Sequence, residues 1–293
     1  MPIFINLKFI LSLLSQTQQL CRLYDIKPAR SKGQNFLINE EIYNDMIAAA
    51  NLQPTDTVLE VGPGLGFLTA KLAKAVKKVI AVELDDKLAE FLRIGLEVRK
   101  VKNVEVVNQS INHYQLTINN YYKVVANLPY NITSIFLRRF LERENKPSEM
   151  ILMLQREVAE RIAAKPPNMS LLAIAVQFYA QPEIVQIVDR NNFWPKPEVD
   201  SAIIKLNTKN RVPSILERQK PKINEKDFFR LVKFGFIARR KMLKNNLAGG
   251  FHVTVSEAEE KIQQAGFNPK IRAQELGAEE WIKLFEVFRR SML

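Results

Sequence analysis

Two short segments of the 293-residue sequence carry residue types and spacings that could do chemistry. The first is a glycine loop, Gly62-x-Gly64-x-Gly66, directly after the apolar run 57–61. Such a loop lets a ligand approach the backbone closely, and its spacing differs from the G-x-G-x-x-G of dinucleotide sites. Glu83 ends the next apolar run, where an acid can accept hydrogen bonds from ribose hydroxyls. Together these residues predict a nucleoside-containing cofactor, with NAD and S-adenosylmethionine both open.

The second segment, Asn127-Leu128-Pro129-Tyr130, follows the predicted strand 123–126. The exocyclic amine of adenine is a poor nucleophile, because its lone pair is delocalised into the ring. A pair of acceptors that hold its two hydrogens favours the pyramidal geometry of the transition state. An Asn oxygen and a backbone carbonyl on a proline-stiffened turn can supply them, and the tyrosine can stack an extruded base. With the glycine loop, this predicts methylation of an adenine amine from S-adenosylmethionine. The alternative is an ordinary Asn-x-Pro turn.

The charge balance favours a polyanionic partner. The chain has 43 Lys+Arg against 31 Asp+Glu, a formal charge of +12, and neutralising phosphates releases condensed counterions. Within the predicted helical segment 225–247, basic residues cluster at Arg239, Arg240, Lys241 and Lys244. We predict that they contact RNA phosphates, the alternative being a solvated helix face.

The remaining composition limits other chemistries. One cysteine, Cys21, excludes an internal disulfide, and two histidines make a zinc site or a Cys/His catalytic pair implausible. We therefore expect a cytoplasmic enzyme without a metal. Residues 3–14 are mostly apolar but too short to span a bilayer, and they lack a signal-peptide pattern. We expect residues 1–27 to form an amphipathic leader, and the protein to be a monomer that does not bind membranes.

Apolar strands alternate with helical patterns, which predicts an α/β fold with a Rossmann-like, mostly parallel sheet. The predicted parallel strands are 57–61, 79–84, 104–107, 123–126 and 150–154. Strands 183–188 and 199–206 have no crossover helix between them, so we expect a terminal antiparallel hairpin. After residue 206 only helical patterns remain, at 225–247, 256–265 and 279–289. The predicted domains are a catalytic domain over 28–206 and a small all-helical RNA-binding domain over 207–293.

From about Pro28 to its C-terminus, the sequence resembles the ribosomal RNA adenine dimethyltransferases, specifically the small-subunit branch. The resemblance is carried by motifs that occur in one order: Gly33-Gln34-Asn35-Phe36-Leu37, Glu60-Val61-Gly62-Pro63-Gly64, Asn127-Leu128-Pro129-Tyr130-Asn131-Ile132, Gln155-Arg156-Glu157-Val158-Ala159, Phe193-x-Pro195-x-Pro197-x-Val199-Asp200-Ser201-Ala202, and Arg239-Arg240-Lys241 with Asn245, Asn246 and Leu247.

The resemblance implies a role for each matching residue. Asn35 and Leu37 would meet the methionine end of S-adenosylmethionine, Gly62 would approach the cofactor at the loop, and Glu83 would bind its ribose. Asn127 would hold the target amine, with Tyr130 and Phe193 on either side of the adenine. From the residues alone, Phe193 is equally readable as a core aromatic beside Trp194. The implied product is two adjacent adenines near the 3′ end of small-subunit RNA, each carrying two methyl groups.

One position departs from the family pattern. The family has an Asp after the third strand to receive the cofactor's adenine amine, and this chain has Ser110 there, preceded by Gln109 in place of a usual glycine. The shorter, uncharged acceptor predicts cofactor affinity weaker by roughly five- to thirty-fold.

Three other functions compete with this interpretation. Dimethylation of large-subunit RNA is the nearest, and Asn131-Ile132 with the basic segment favours the small subunit. A non-catalytic RNA-binding factor on a methyltransferase fold is favoured only by Ser110, while the retained acceptors argue against it. DNA amine methyltransferases typically carry Pro where this chain has Leu128.

Overall fold

The computed structural model describes residues 11–28, 33–116, 118, 121–208, 223–238 and 241–289. The chain divides into two compact units. The first, which we call the sheet unit, comprises residues 1–159 and 183–209, and the helical unit comprises 160–182 and 210–293. None of the helices in the described ranges combines the length and apolarity that a membrane crossing requires.

Within the described residues there are nine strands. The strands are β1 Phe36–Leu37, β2 Thr57–Val61, β3 Lys78–Glu83, β4 Val104–Asn108, β5 Lys123–Asn127, β6 Glu149–Gln155, β7 Gln181–Val188, β8 Phe193–Trp194 and β9 Ser201–Asn207. Seven of them form one sheet in the order β4-β3-β2-β5-β6-β9-β7, and β1 pairs with β8 separately. Strands β4 to β6 in that order are parallel, and β9 runs antiparallel to β6. The predicted α/β sheet, mostly parallel with antiparallel strands at one end, is confirmed.

The strand order reverses between β2 and β5, since the chain builds outward to β4 and then returns to the other side of β2. The carboxyl ends of strands on either side of such a reversal form a crevice, where ligands bind in open α/β sheets. Both strands are buried along the sheet, with Val58, Leu59, Val124 and Val125 at 0% exposure. This packing gives the crevice rigid walls.

Helices cover the sheet and form the second unit. They are α1 Leu13–Leu23, α2 Glu40–Ala49, α3 Phe67–Ala75, α4 Asp86–Val98, α5 Thr133–Leu141, α6 Arg156–Ile162, α7 Leu171–Tyr179, α8 Glu225–Gly235, α9 Leu243–Phe251, α10 Val255–Gln264 and α11 Ala278–Phe288. Side chains of Asn39 and Asp85 accept the first free backbone N–H groups of α2 and α4, which fixes where those helices begin.

The helical unit has its own core, in which Phe228, Leu247, Ile262 and Trp281 are fully buried. Helix α7 belongs to this unit, and its buried residues Ala173 and Ile174 pack into the same core. Residues 160–182 therefore lie in the helical unit, although the sequence pattern places them in the domain 28–206.

The single helical segment predicted over 225–247 is wrong in one respect, because it is two helices, α8 and α9. The Asn246 side-chain amide donates to the carbonyls of Gly235 at 2.6 Å and Ala238 at 3.0 Å. Carbonyls at the end of a helix have no partner within the helix, and the Asn246 amide supplies a donor to that of Gly235. A side chain from α9 thus terminates α8.

A buried charge anchors the amino-terminal edge of the sheet. The ammonium of Lys123, a residue only 8% exposed, donates to the carbonyls of Ala50 at 2.9 Å and Asn51 at 2.8 Å, and lies 3.1 Å from an Asp56 carboxylate oxygen. Its counterpart at the start of β3, Lys78, pairs with Glu105 at 2.7 Å with both side chains about half exposed.

We expect Lys123→Met to destabilise the protein by about 3 kcal/mol, because the change leaves the half-buried Asp56 carboxylate without its ion-pair partner and two backbone carbonyls without their donor. Lys78→Met is the matched control at another strand start, and should cost less than about 1 kcal/mol. Urea unfolding of both variants measures the difference. Equal losses of unfolding free energy in the two variants would show that the buried ion pair stabilises the protein no more than the exposed one.

Candidate active site

A cavity opens at the carboxyl ends of β2 and β5. Four segments supply most of its wall: residues 33–36, 62–64, 83–85 and 127–130. Single side chains from elsewhere complete it: Tyr43, Glu60, Leu68, Leu88 and Phe193. The glycine loop and the Asn127 tetrapeptide, which are 65 residues apart from Gly62 to Asn127 in the sequence, thus face one space.

The glycine loop is shaped by left-handed backbone angles. Gly64 has φ +55° and Gly66 has φ +77°, values that favour glycine. A Cβ on Gly66 would lie 2.5 Å from a terminal methyl of Leu92, so another residue there would also force that side chain of α4 to shift. The loop is also tied to β3, because the Gly62 N–H donates to the Val82 carbonyl at 2.9 Å.

Glu83 ends β3 and is 6% exposed. One carboxylate oxygen accepts from the Gly64 N–H at 3.1 Å, and the other accepts from the Asp85 N–H at 2.9 Å. Burial raises the pKa of Glu83, and these backbone hydrogen bonds oppose the rise. Each oxygen retains a further lone pair, so the carboxylate can hold the loop and still accept from ribose hydroxyls.

The tetrapeptide 127–130 forms a turn at the end of β5. The Leu128 N–H donates to the Met153 carbonyl at 3.2 Å, and the Leu128 side chain is 1% exposed. Pro129 packs against the glycines: a Cβ on either Gly33 or Gly62 would lie 3.5 Å from its ring carbons. Asn127 lines the cavity, and its side-chain amide has no hydrogen-bond partner among the described residues. Its donor and acceptor are therefore available to a ligand.

The two aromatic residues of the predicted base site line the same cavity. The Tyr130 hydroxyl shares a hydrogen bond of 2.8 Å with the Ser201 hydroxyl, and burial raises the pKa of Tyr130. Phe193 is 3% exposed and belongs to the core as well as to the cavity wall. It arrives there because β1 and β8 pair in register Leu37 with Phe193, which also brings Asn35 to the cavity.

Two predicted cofactor residues do not line the cavity. Leu37 is fully buried, and its carbonyl accepts from the Tyr43 hydroxyl at 3.1 Å. Ser110 is half-buried, and its hydroxyl accepts from the Asn112 N–H at 3.3 Å. The neighbouring Gln109 N–H donates to the Glu83 carbonyl at 3.0 Å, so this turn lies beside the end of β3.

The predicted RNA-contacting cluster lies in the helical unit. Arg239 and Arg240 fall outside the described residues. Lys241 is exposed, and Lys244 is half-buried in an ion pair of 2.6 Å with Glu259.

Sequence reasoning gave no role to Glu60, which lines the cavity at 1% exposure. Among the described residues, neither of its carboxyl oxygens has a partner in hydrogen-bonding geometry. Burial raises the pKa of Glu60 to about 8, while the nearby Thr69 hydroxyl opposes the rise and the Glu83 carboxylate adds to it. A charged residue inside the apolar run 57–61 was the available signal, because acids are rarely buried without a partner.

These residues fit S-adenosylmethionine. A buried carboxyl without a partner suits a ligand with cationic groups, and Glu83 with the glycine loop suits a ribose and a close backbone approach. Among the described residues, no group of three or more His, Cys, Asp or Glu side chains could hold a metal ion.

The fold and this site define the class of S-adenosylmethionine-dependent methyltransferases that act on an amine. The family model of the ribosomal RNA adenine dimethylases matches residues 27–290. The chain belongs to that family.

Relatives support this assignment across nearly the whole chain. The ribosomal RNA small subunit methyltransferase A of Dehalococcoides mccartyi strain CBDB1 is 42% identical over 284 residues, covering 93% of this chain and 92% of that protein. The protein of the same name from Enterococcus faecalis is 38% identical, covering 94% and 96%.

Two solved structures resemble the chain. A dimethyladenosine transferase from Plasmodium falciparum has a TM-score of 0.75 at 25% identity, covering 87% of this chain and 98% of that one. The 23S rRNA methyltransferase ErmE has a TM-score of 0.69 at 27% identity, covering 87% and 100%.

The buried Glu60 predicts a pH-dependent stability in the cofactor-free protein. Its folded pKa of about 8 lies above the ordinary value of 4.5, so the protonated form favours folding. This contribution is complete below pH 4.5 and is lost as the pH rises through about 8. Between pH 5 and pH 8 the melting temperature of the wild type should therefore fall relative to that of Glu60→Gln.

Thermal unfolding across this pH range checks the prediction, with Glu105→Gln as the control at an exposed strand glutamate. Its curve should run parallel to that of the wild type. If the Glu60→Gln curve is parallel as well, Glu60 does not titrate in this range.

Proposed function

We propose that this chain transfers methyl groups from S-adenosylmethionine to the N6 amines of two adjacent adenosines near the 3′ end of small-subunit (16S) rRNA, and so contributes to ribosome biogenesis. The observation that carries this proposal is the position of Asn127. It lines the same cavity as the glycine loop and Glu83, and no described residue hydrogen-bonds to its side-chain amide.

The residues of the turn act by holding the target nitrogen. The Asn127 side-chain oxygen and a backbone carbonyl of the stiff Leu128–Pro129 turn each accept one amine hydrogen, which favours the pyramidal nitrogen of the transition state. Tyr130 and Phe193 stack the extruded base. S-adenosylmethionine supplies the methyl group when bound. Positioning, rather than proton abstraction, is the main contribution of the protein.

The choice of the small subunit rests on the relatives. Proteins named ribosomal RNA small subunit methyltransferase A are 36–42% identical over more than nine-tenths of this chain. The second candidate is dimethylation of large-subunit RNA, which the likeness to ErmE supports at lower identity. A non-catalytic RNA-binding assembly factor is the third, and only Ser110 favours it.

The helical unit supplies the second part of the proposal. We infer that Arg239, Arg240, Lys241 and Lys244 contact RNA phosphates, a role that suits the exposed Lys241 and the net charge of +12. Lys244 would have to share its ammonium with Glu259. We further infer that residues 28–206 contain the catalytic machinery, that residues 207–293 bind RNA, and that the protein acts as a monomer in the cytoplasm.

We expect Asn127→Ala to lower methyl transfer to unmethylated small subunits by about a hundred- to a thousand-fold, because it removes one preorganised acceptor. Labelled cofactor measures the transfer, and primer extension locates the modified adenines. Asn207→Ala, at the end of β9, is the matched strand-end control and should retain full activity.

Two outcomes would contradict the proposal. Full transfer by the Asn127 variant would remove that residue from the reaction. Methylation by the wild type of large-subunit RNA instead of small-subunit RNA would establish the second candidate.

We expect Ser110→Asp to bind S-adenosylmethionine roughly five- to thirty-fold more tightly than the wild type, because a carboxylate is the stronger acceptor for an amine. Asp can also accept from the Asn112 N–H as Ser110 does, so the turn should persist. Calorimetric titration measures both affinities. The neutral Ser110→Asn variant is the control and should gain less; equal affinities in all three proteins would exclude the predicted contact.

A further inference from the structure

Phe193 and Ser201 lie at the two ends of one loop in the sheet unit. The end of the loop is braced by Arg190, which lies three residues before Phe193: an Asp200 carboxylate oxygen accepts from the Arg190 N–H at 3.1 Å, and the Arg190 guanidinium donates to the Glu198 carbonyl at 2.8 Å. Proline at two positions between its ends further restricts the backbone. The loop therefore holds the position of Phe193 relative to that of Ser201.

Ser201 begins β9 and is 0% exposed. It is paired across the sheet with Gln155, and the preceding Asp200 carbonyl accepts from the Arg156 N–H at 2.9 Å. Its hydroxyl lies 2.8 Å from the Tyr130 hydroxyl, on the far tip of a ring that lines the cavity. Strand β9 thus holds the hydroxyl end of the Tyr130 side chain, whose backbone lies in the short turn after β5.

We propose that Ser201 is a positioning residue for methyl transfer, whose hydroxyl holds the Tyr130 ring in its stacking orientation before the target adenine enters. The inference rests on the proposed function, because it requires an adenine that stacks on Tyr130. A tyrosine without this hydrogen bond is free to rotate about its side-chain bonds and must be immobilised when the base binds. With the bond, both aromatic walls are set by one braced loop, Phe193 directly and Tyr130 through Ser201.

The polar character of the bond separates this role from core packing. A buried hydroxyl needs a hydrogen-bond partner. Alanine and valine side chains in the same sheet are equally buried and need none. Packing alone would therefore be served by Ala at position 201. The serine hydroxyl is required only for holding the Tyr130 hydroxyl, and with it the ring, in one orientation.

The test uses Ser201→Ala, Tyr130→Phe and the double variant in the full-length protein, with Ser148→Ala as the matched control. Ser148 is also a buried serine of the sheet unit, 4% exposed, and its hydroxyl donates to the Tyr122 carbonyl away from the cavity. Steady-state transfer to small subunits gives kcat and KM, and calorimetry gives the affinity for S-adenosylmethionine.

Ser201→Ala should lower kcat by about tenfold while KM for the subunits and the cofactor affinity stay within about twofold, since phosphate contacts elsewhere provide most of the RNA affinity. Tyr130→Phe removes the same bond from its other end and should lose a similar factor. The double variant should be no worse than either single variant, because both remove one interaction. Ser148→Ala should keep the wild-type kcat.

Multiplicative losses in the double variant, a wild-type kcat in Ser201→Ala, or an equal loss in Ser148→Ala would each overturn the proposal. If Ser201→Ala fails to fold, an unchanged kcat in Tyr130→Phe overturns it and a tenfold loss supports it. A tyrosine-labelled NMR spectrum tests the contact without any activity. The Tyr130 ring-carbon signal should move in Ser201→Ala and not in Ser148→Ala; an unmoved signal refutes the contact even if the wild type methylates RNA. If the signal moves in Ser201→Ala but the wild type transfers no methyl group, the contact stands and the proposed function is refuted instead.

Discussion

The site depends on the close packing of two strand-end turns, the glycine loop after β2 and the proline turn after β5. Pro129 lies against Gly33 and Gly62, at a distance that leaves van der Waals contact and no more for an added Cβ. Each turn is also hydrogen-bonded to the neighbouring strand, through the N–H groups of Gly62 and Leu128. Because both turns are fixed to one rigid sheet, the part of the cavity that suits a cofactor and the part that suits an amine have a fixed separation. Reactions that depend on positioning require that constancy.

The sequence was sufficient to predict the features that arise from local pattern. The strands, the glycine loop and Glu83 follow one another within about thirty residues, and each has a local physical signature. Asn127 was placed at the cavity because parallel strands bring their carboxyl ends to one edge. The all-helical character of the second unit also followed from periodicity. The strand or loop that carries each of these residues was therefore predictable, and so was the edge of the sheet at which the active site should lie.

What could not be predicted depends on contacts between distant segments. The pairing of Leu37 with Phe193 joins two-residue strands that are too short to give a period-2 signal. The break between α8 and α9 is made by Asn246, a polar side chain whose reach back to Gly235 has no counterpart in helical spacing. The sequence shows that Glu60 is an acid, but whether its carboxyl oxygens find hydrogen-bond partners depends on three-dimensional packing. In each case the deciding interaction is absent from the local sequence window.

The charge of the cavity is opposite to that of the chain. The protein carries a formal charge of +12, yet the lining includes the acids Glu83 and Asp85, and among its described residues there is no Lys, Arg or His. Phosphates are drawn to a basic surface and repelled by carboxylates, so the RNA backbone is favoured outside this cavity. An extruded base carries no charge and can enter it without that penalty. A cofactor with cationic groups is attracted to the same carboxylates that would repel a nucleotide's phosphate. The acidic lining therefore discriminates by charge, so that the two groups admitted together are a cationic methyl donor and a neutral base.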